Sequence, residues 1–181
     1  MKVYIVFLRG INVGGKNKIK MADLKKTLEA AGLAKVQTYL QSGNVLFMSE
    51  EEAVEPLRQR IEQEISKAVG VSPKVILRTV EELELILGSC PYDADALLEG
   101  ESIQISVLTE MPPQQTADIL SNGKSDKDEF QIHGGEIYFL FRQSVLDSKL
   151  ASNIQKLGDT ATTRNWNTMN KLAELAAAML I

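Results

Sequence analysis

Cysteine is nearly absent from this sequence. The single thiol, Cys90, excludes an internal disulfide framework and any cysteine-rich metal site. No apolar run is long enough to span a bilayer, so no membrane partner is expected. The first residues lack the charged-then-apolar pattern of a secretory leader, so no signal peptide is expected and a reducing, cytoplasmic setting fits. Aromatic residues make up only 6% of the chain. That scarcity argues against a sheet face that stacks RNA bases, which needs aromatics on its central strands. What is plentiful is apolar: 44% of the 181 residues, enough for a real core in one large domain or two small ones.

Charge is unevenly spread. Residues 1–35 carry eight Lys or Arg against two acids, while residues 80–129 carry two Lys against twelve acids. The basic end is suited to an anionic ligand. The acidic stretch would repel one, meet the basic end of a neighbouring copy, or simply be a solvated surface.

Periodicity places the elements. Residues 2–9 (KVYIVFLR) read as a strand, apolar at both Val3, Ile5, Phe7 and Tyr4, Val6, Leu8, so it is covered on both faces. Met21, Leu24, Leu28 and Ala31 recur at helical spacing up to Gly32. Strands at 36–40 and 45–48 flank a hairpin at Ser42-Gly43. A helix carries Val54, Leu57, Ile61, Ile65 and Val69, with Pro56 in its first turn, and a strand follows at 73–78. The order β-α-β-β-α-β is that of a ferredoxin-like unit. Thr79 and Glu82 form a capping box before a short connecting helix. An acidic loop spans 92–101. The second half then reads strand 102–108, helix 112–120, and strands 130–133 and 136–141 about Gly134-Gly135. A capping pattern at 144–147 opens a helix on Leu146, Leu150, Ile154 and Leu157, with its stop at Gly158. No last strand is evident there. A final helix runs from about residue 165 to the end. The expected fold is α+β: a ferredoxin-like unit (1–79), a connecting helix and acidic loop (80–101), then a smaller βαββα subdomain with a C-terminal helix (102–181).

The stretch GINVGGKN (10–17) comes one residue short of the phosphate-cradling signature G-x-x-x-x-G-K-[ST], since Asn17 stands where a hydroxyl belongs. The apolar periodicity also resumes only at Met21, and no later strand ends in an Asp to hold a metal. Magnesium-dependent nucleotide hydrolysis is therefore not expected. The loop still has glycines (Gly10, Gly14, Gly15) that permit close backbone approach, and cations (Arg9, Lys16, Lys18, Lys20) around them. A glycine-rich connection with solvated lysines is the plainer alternative.

Strand order adds a prediction. In a split βαβ unit the third strand lies between the first two, so the end of strand one sits beside the hairpin at 41–44. That brings Arg9, Asn12 and Lys16 toward Gln41, Ser42 and Asn44. His, Cys and acids are missing from this set, so a general base there would have to be a lysine. Elsewhere, Arg164 and Trp166 in TTRNWNT (162–168) are suited to a phosphate and a base; the alternative is an Asn cap with a tryptophan anchoring the last helix. His133 reads as an exposed turn residue, and Cys90 as a buried, inert thiol. Asp93 and Asp95 make only a weak metal motif.

Four motifs together, RGINVGG (9–15), MADL (21–24), QSGN (41–44) and RNWNT (164–168), resemble a bacterial family designated domain of unknown function 1697. The resemblance implies a small cytoplasmic protein of two α+β subdomains, with no established activity. The functional expectation is binding of a phosphate-bearing small molecule or nucleic-acid backbone. Candidate residues are Arg9, Gly10, Asn12, Gly14, Gly15, Lys16, Gln41, Ser42, Asn44, Arg164 and Trp166, with no cofactor and no metal. The alternatives are an enzyme using a loop lysine on an anionic metabolite, and a scaffold that self-associates as a homo-oligomer.

Overall fold

The computed structural model describes residues 1–12, 15, 17–51 and 53–181. The candidates Gly14 and Lys16 lie outside them. The chain divides into two compact units, Met1–Glu84 with Lys171–Ile181, and Leu85–Asn170.

In the first unit, β1 (Lys2–Arg9), α1 (Met21–Ala30), β2 (Ala34–Tyr39), β3 (Asn44–Ser49), α2 (Val54–Val69) and β4 (Lys74–Thr79) follow in the expected order. The sheet runs β2-β3-β1-β4, and β3 is antiparallel to both β1 and β2. Alternation along β1 sends Tyr4, Val6 and Leu8 into one core with Leu24 and Leu28 of α1 and Leu57, Ile61 and Ile65 of α2. Each such burial contributes roughly 1.5–3 kcal/mol. Ile5 and Phe7 are fully buried on the other face. This is the two-sided burial that the unbroken apolar run requires. Gly32, at φ +91, ends α1, and Gly70, at φ +71, ends α2. The capping box is reciprocal: the Thr79 amide donates to the Glu82 carboxylate at 2.8 Å, and the Glu82 amide to Thr79 Oγ1 at 3.2 Å. It opens α3 (Val80–Gly88).

The second unit holds β5 (Ser102–Leu108), α4 (Gln114–Ser121), β6 (Asp128–His133), β7 (Glu136–Phe141), α5 (Lys149–Ile154) and β8 (Ala161–Asn165); α6 (Trp166–Met179) follows, and from Lys171 on it belongs to the first unit. Its sheet runs β6-β7-β5-β8, the same order as the first. The registers match too. Ile5 lies opposite Arg78 as Ile105 lies opposite Arg164. The Leu8 amide donates to the Gly43 carbonyl at 2.8 Å, as Leu108 does to Gly135 at 2.9 Å. Both units are thus ferredoxin-like, and they repeat in register although their sequences do not visibly repeat.

Two expectations need correction here. The second unit has the closing strand that its sequence did not announce. The stretch ATTRN is mostly polar, and β8 is held by pairing with β5 and by a 2.6 Å hydroxyl pair between Ser106 and Thr163. The capping pattern at Ser144 does not open the helix either. Ser144 caps a single 3-10 turn, and Leu146 is 91% exposed. The true cap is Ser148, whose Oγ accepts from the Ala151 amide at 3.0 Å and donates to the buried Asp128 carboxylate at 2.7 Å. That carboxylate also accepts from the Gln143 side chain, so the connection is latched to β6 before α5 begins.

Candidate functional site

The loop after β1 is built from its asparagines. Gly10 leaves the strand at φ +84 and Asn12 follows at φ +53, a left-handed conformation that asparagine tolerates better than most residues. Between them Ile11 is 1% exposed. Its Cδ1 occupies the space beside Gly43, where an added Cβ would stand 2.6 Å from it. Asn12 then spends its whole amide on the fold. Its Nδ2 donates to the Ile19 carbonyl at 3.1 Å and the Gln41 carbonyl at 2.8 Å, and its Oδ1 accepts from the Ile19 amide at 2.9 Å. Asn17 closes the loop on itself: its side chain donates to the Gly10 carbonyl at 2.9 Å, and its own carbonyl accepts from the Asn12 amide at 3.1 Å. The residue at the position of the P-loop hydroxyl is therefore a loop closure. Helix α1 begins at Met21, well past the position a P-loop lysine would give it.

The facing hairpin is also internally held. Asn44 is fully buried and donates to the Tyr39 carbonyl at 2.8 Å and to Ser42 Oγ at 3.1 Å. Both its amide hydrogens are used, so its part is to hold the turn rather than to face outward. Gln41 and Ser42 are exposed. The structure thus brings Asn12 against Gln41 at one end of the first sheet. Arg9 closes β1 there, half-buried and opposite Lys74.

A groove of about 610 Å³ lies against this loop. Among the described residues its polar lining includes Asn12, Lys18, Lys20, Asp23 and Gln41, and its apolar lining Ile19, Met21 and Val69. Lys18 and Lys20 are exposed, while Met21 and Val69 are half-buried and pack on the core. Asp23, Met21 and Val69 were not anticipated as site residues. The sequence marks Met21 and Val69 as apolar periodic positions of helices, and Met21 and Asp23 as part of the MADL motif.

Arg164 and Trp166 belong to the second unit. The Asn165 side chain accepts from the Thr168 amide at 2.8 Å and so caps α6. Arg164 donates to the Thr163 carbonyl at 3.0 Å, just as Arg78 does to Leu77 at 2.9 Å. Trp166 is half-buried. Cys90 is half-buried, and burial pushes its thiol above the ordinary range, which favours the protonated thiol. His133 is exposed beside the Gly134-Gly135 turn, its ring edge-on to Tyr138 at 5.3 Å. Among the described residues no group of three or more His, Cys, Asp or Glu is placed to hold a metal ion, and no helix is long and apolar enough to cross a membrane.

Two ferredoxin-like units in tandem, the first with an asparagine-clamped loop, define the class of protein. Residues 1–138 match the model of the family described as protein of unknown function (DUF1697), and the chain belongs to that family. A solved structure, that of the conserved bacterial protein SP0830 from Streptococcus pneumoniae, superposes with a TM-score of 0.80. It shares 24% identity and covers 97% of this chain and 98% of its own. That likeness concerns the fold. A search of curated proteins returns no match.

Proposed function

We propose that this protein binds a phosphate-bearing ligand, a nucleotide or a nucleic-acid backbone, in the groove beside the glycine loop. The observation that carries the reading is that two exposed lysines, Lys18 and Lys20, share a groove whose backbone is pinned by Asn12. A preorganised loop meets an anion without first paying to order itself. Arg9 and Lys16 add charge. Gly10 and Gly15, both at positive φ, permit close backbone approach to an anion, and Ser42 and Gln41 offer polar groups on the hairpin side. Gly14 and Lys16 enter on sequence alone. An enzyme that used a loop lysine as base would need that lysine's pKa depressed by burial or by neighbouring like charges. Lys18 and Lys20 are exposed, so burial does not supply this, which favours binding over that alternative.

Calorimetric titration with pyrophosphate, nucleotides and a short oligonucleotide tests the reading. Lys18→Ala and Lys20→Ala are each expected to weaken binding about tenfold, the scale of one lost charge-assisted hydrogen bond. Wild-type protein that binds none of these compounds would overturn it.

A further inference from the structure

We infer that the occupant of the loop groove is one small nucleoside phosphate, not a nucleic-acid strand, and that Asp23 selects its nucleoside part. This rests on the anion reading of the same groove and narrows it.

Three features of the groove support the narrowing. Its volume, about 610 Å³, falls within the roughly 300–1,000 Å³ of small-molecule sites. Its lining is mixed. Lys18 and Lys20 suit a phosphate, while Met21 and Val69 offer a wall to a compact, partly apolar group. A strand-binding groove instead wants an unbroken cationic track with aromatic platforms. None of the described lining residues is aromatic, and one of them is an acid. That acid is the third feature. Asp23 is exposed in the first turn of α1 and lines the same groove as the two lysines. An ionised carboxylate only accepts hydrogen bonds. It would repel a second phosphate and favour donors, such as sugar hydroxyls or an exocyclic amine.

The internal repeat argues for a single site per chain. The connection from β1 to α1 spans residues 10–20, whereas its counterpart from β5 to α4 spans only residues 109–113. The cavity at that second position is about 230 Å³ and is lined in part by Pro112, Pro113 and Glu110. Topology is shared, but the long cation-rich loop belongs to the first unit alone. Binding residues are disproportionately carried on loops that a rigid scaffold positions.

The experiment compares inorganic pyrophosphate with ADP, GDP, CDP and UDP, which carry the same anion with a nucleoside attached, and with a ten-nucleotide oligomer. Calorimetry on the full chain is expected to give at least one nucleoside diphosphate binding one per chain, tenfold or more tighter than pyrophosphate. Asp23→Asn should remove most of that advantage and leave pyrophosphate affinity unchanged or higher, whereas Lys18→Ala should weaken both. Urea melts confirm that each variant folds, and Asp23→Ala serves as a second variant without a side-chain amide. If pyrophosphate matches every nucleotide, the inference is overturned and the anion reading stands. Tight binding of the oligomer without the diphosphates overturns it in the same way. If none of the probes binds, both are lost. An advantage that survives in both Asp23 variants removes the role given to Asp23.

Discussion

The Asn12 side chain donates to the Gln41 carbonyl at 2.8 Å while pairing in both directions with the backbone of Ile19. One amide therefore ties the start of the loop to its end and to the neighbouring hairpin. Asn12→Ala removes three hydrogen bonds and leaves backbone groups unpaired, so a loss of about 2–3 kcal/mol is expected. Asn12→Gly loses the same bonds but relieves the φ of +53, and it should be the more stable of the two by about 1 kcal/mol. Urea melts of both variants check the ordering; equal or reversed stabilities would remove the backbone part of the argument.

Two glycines with similar φ should respond differently to alanine. At Gly10 an added Cβ meets nothing within 4 Å, so only the left-handed backbone costs, about 1–2 kcal/mol. At Gly43 the same atom would stand 2.6 Å from Ile11 Cδ1 and 2.9 Å from Leu8 Cβ. Gly43→Ala should therefore cost more, about 2–4 kcal/mol. Thermal denaturation measures the difference.

Ser148 and Ser144 look alike in sequence but do different work. Ser148→Ala loses a helix cap and a donor to a buried carboxylate, for an expected cost of about 2–3 kcal/mol. Ser144→Ala loses one exposed cap of a single turn, worth under about 1 kcal/mol. Leu146→Ser should change stability by less than about 0.5 kcal/mol, because the side chain is already in water. Leu150→Ala, in the core, should cost about 2–5 kcal/mol. Chemical denaturation of the four variants decides whether the helix starts where Ser148 puts it.

Alkaline pH should destabilise the fold. Burial is the first cause that raises the tyrosine hydroxyls of Tyr92 and Tyr138 above their ordinary range, followed by the nearby acidic groups. A raised folded-state value leaves stability level below the unfolded tyrosine value of about 10 and erodes it above that pH, where the unfolded chain ionises more readily. Tyr138 also donates to the Ile86 carbonyl at 2.5 Å. Tyr138→Phe should lower stability at neutral pH by about 1 kcal/mol and flatten the alkaline decline. Denaturant midpoints from pH 7 to 11 test both signs; a decline unchanged in the variant would exclude Tyr138 as a source.

Much of this architecture could be read along the chain, because burial imposes its period directly on residue choice. The two-faced run of β1, the helical spacing of Leu57, Ile61 and Ile65, and the Thr79–Glu82 box each specify local structure through neighbours a few residues away. Strand order then required the β1 loop to meet the 41–44 hairpin. What the sequence could not decide is where a versatile group spends its bonds. Asn12, Asn17 and Asn44 have amides equally suited to a ligand or to backbone, and only the tertiary fold commits them to the loop and hairpin. The polar strand β8 exists because β5 has an edge for it, not because ATTRN insists on being extended. Leu146 matches the helical period yet lies in water, since the Ser148–Asp128 latch starts the helix later. The groove joins Lys18, Asp23 and Val69, which the chain separates by up to 51 residues; no local pattern links them, because their proximity is a consequence of packing two helices on one sheet.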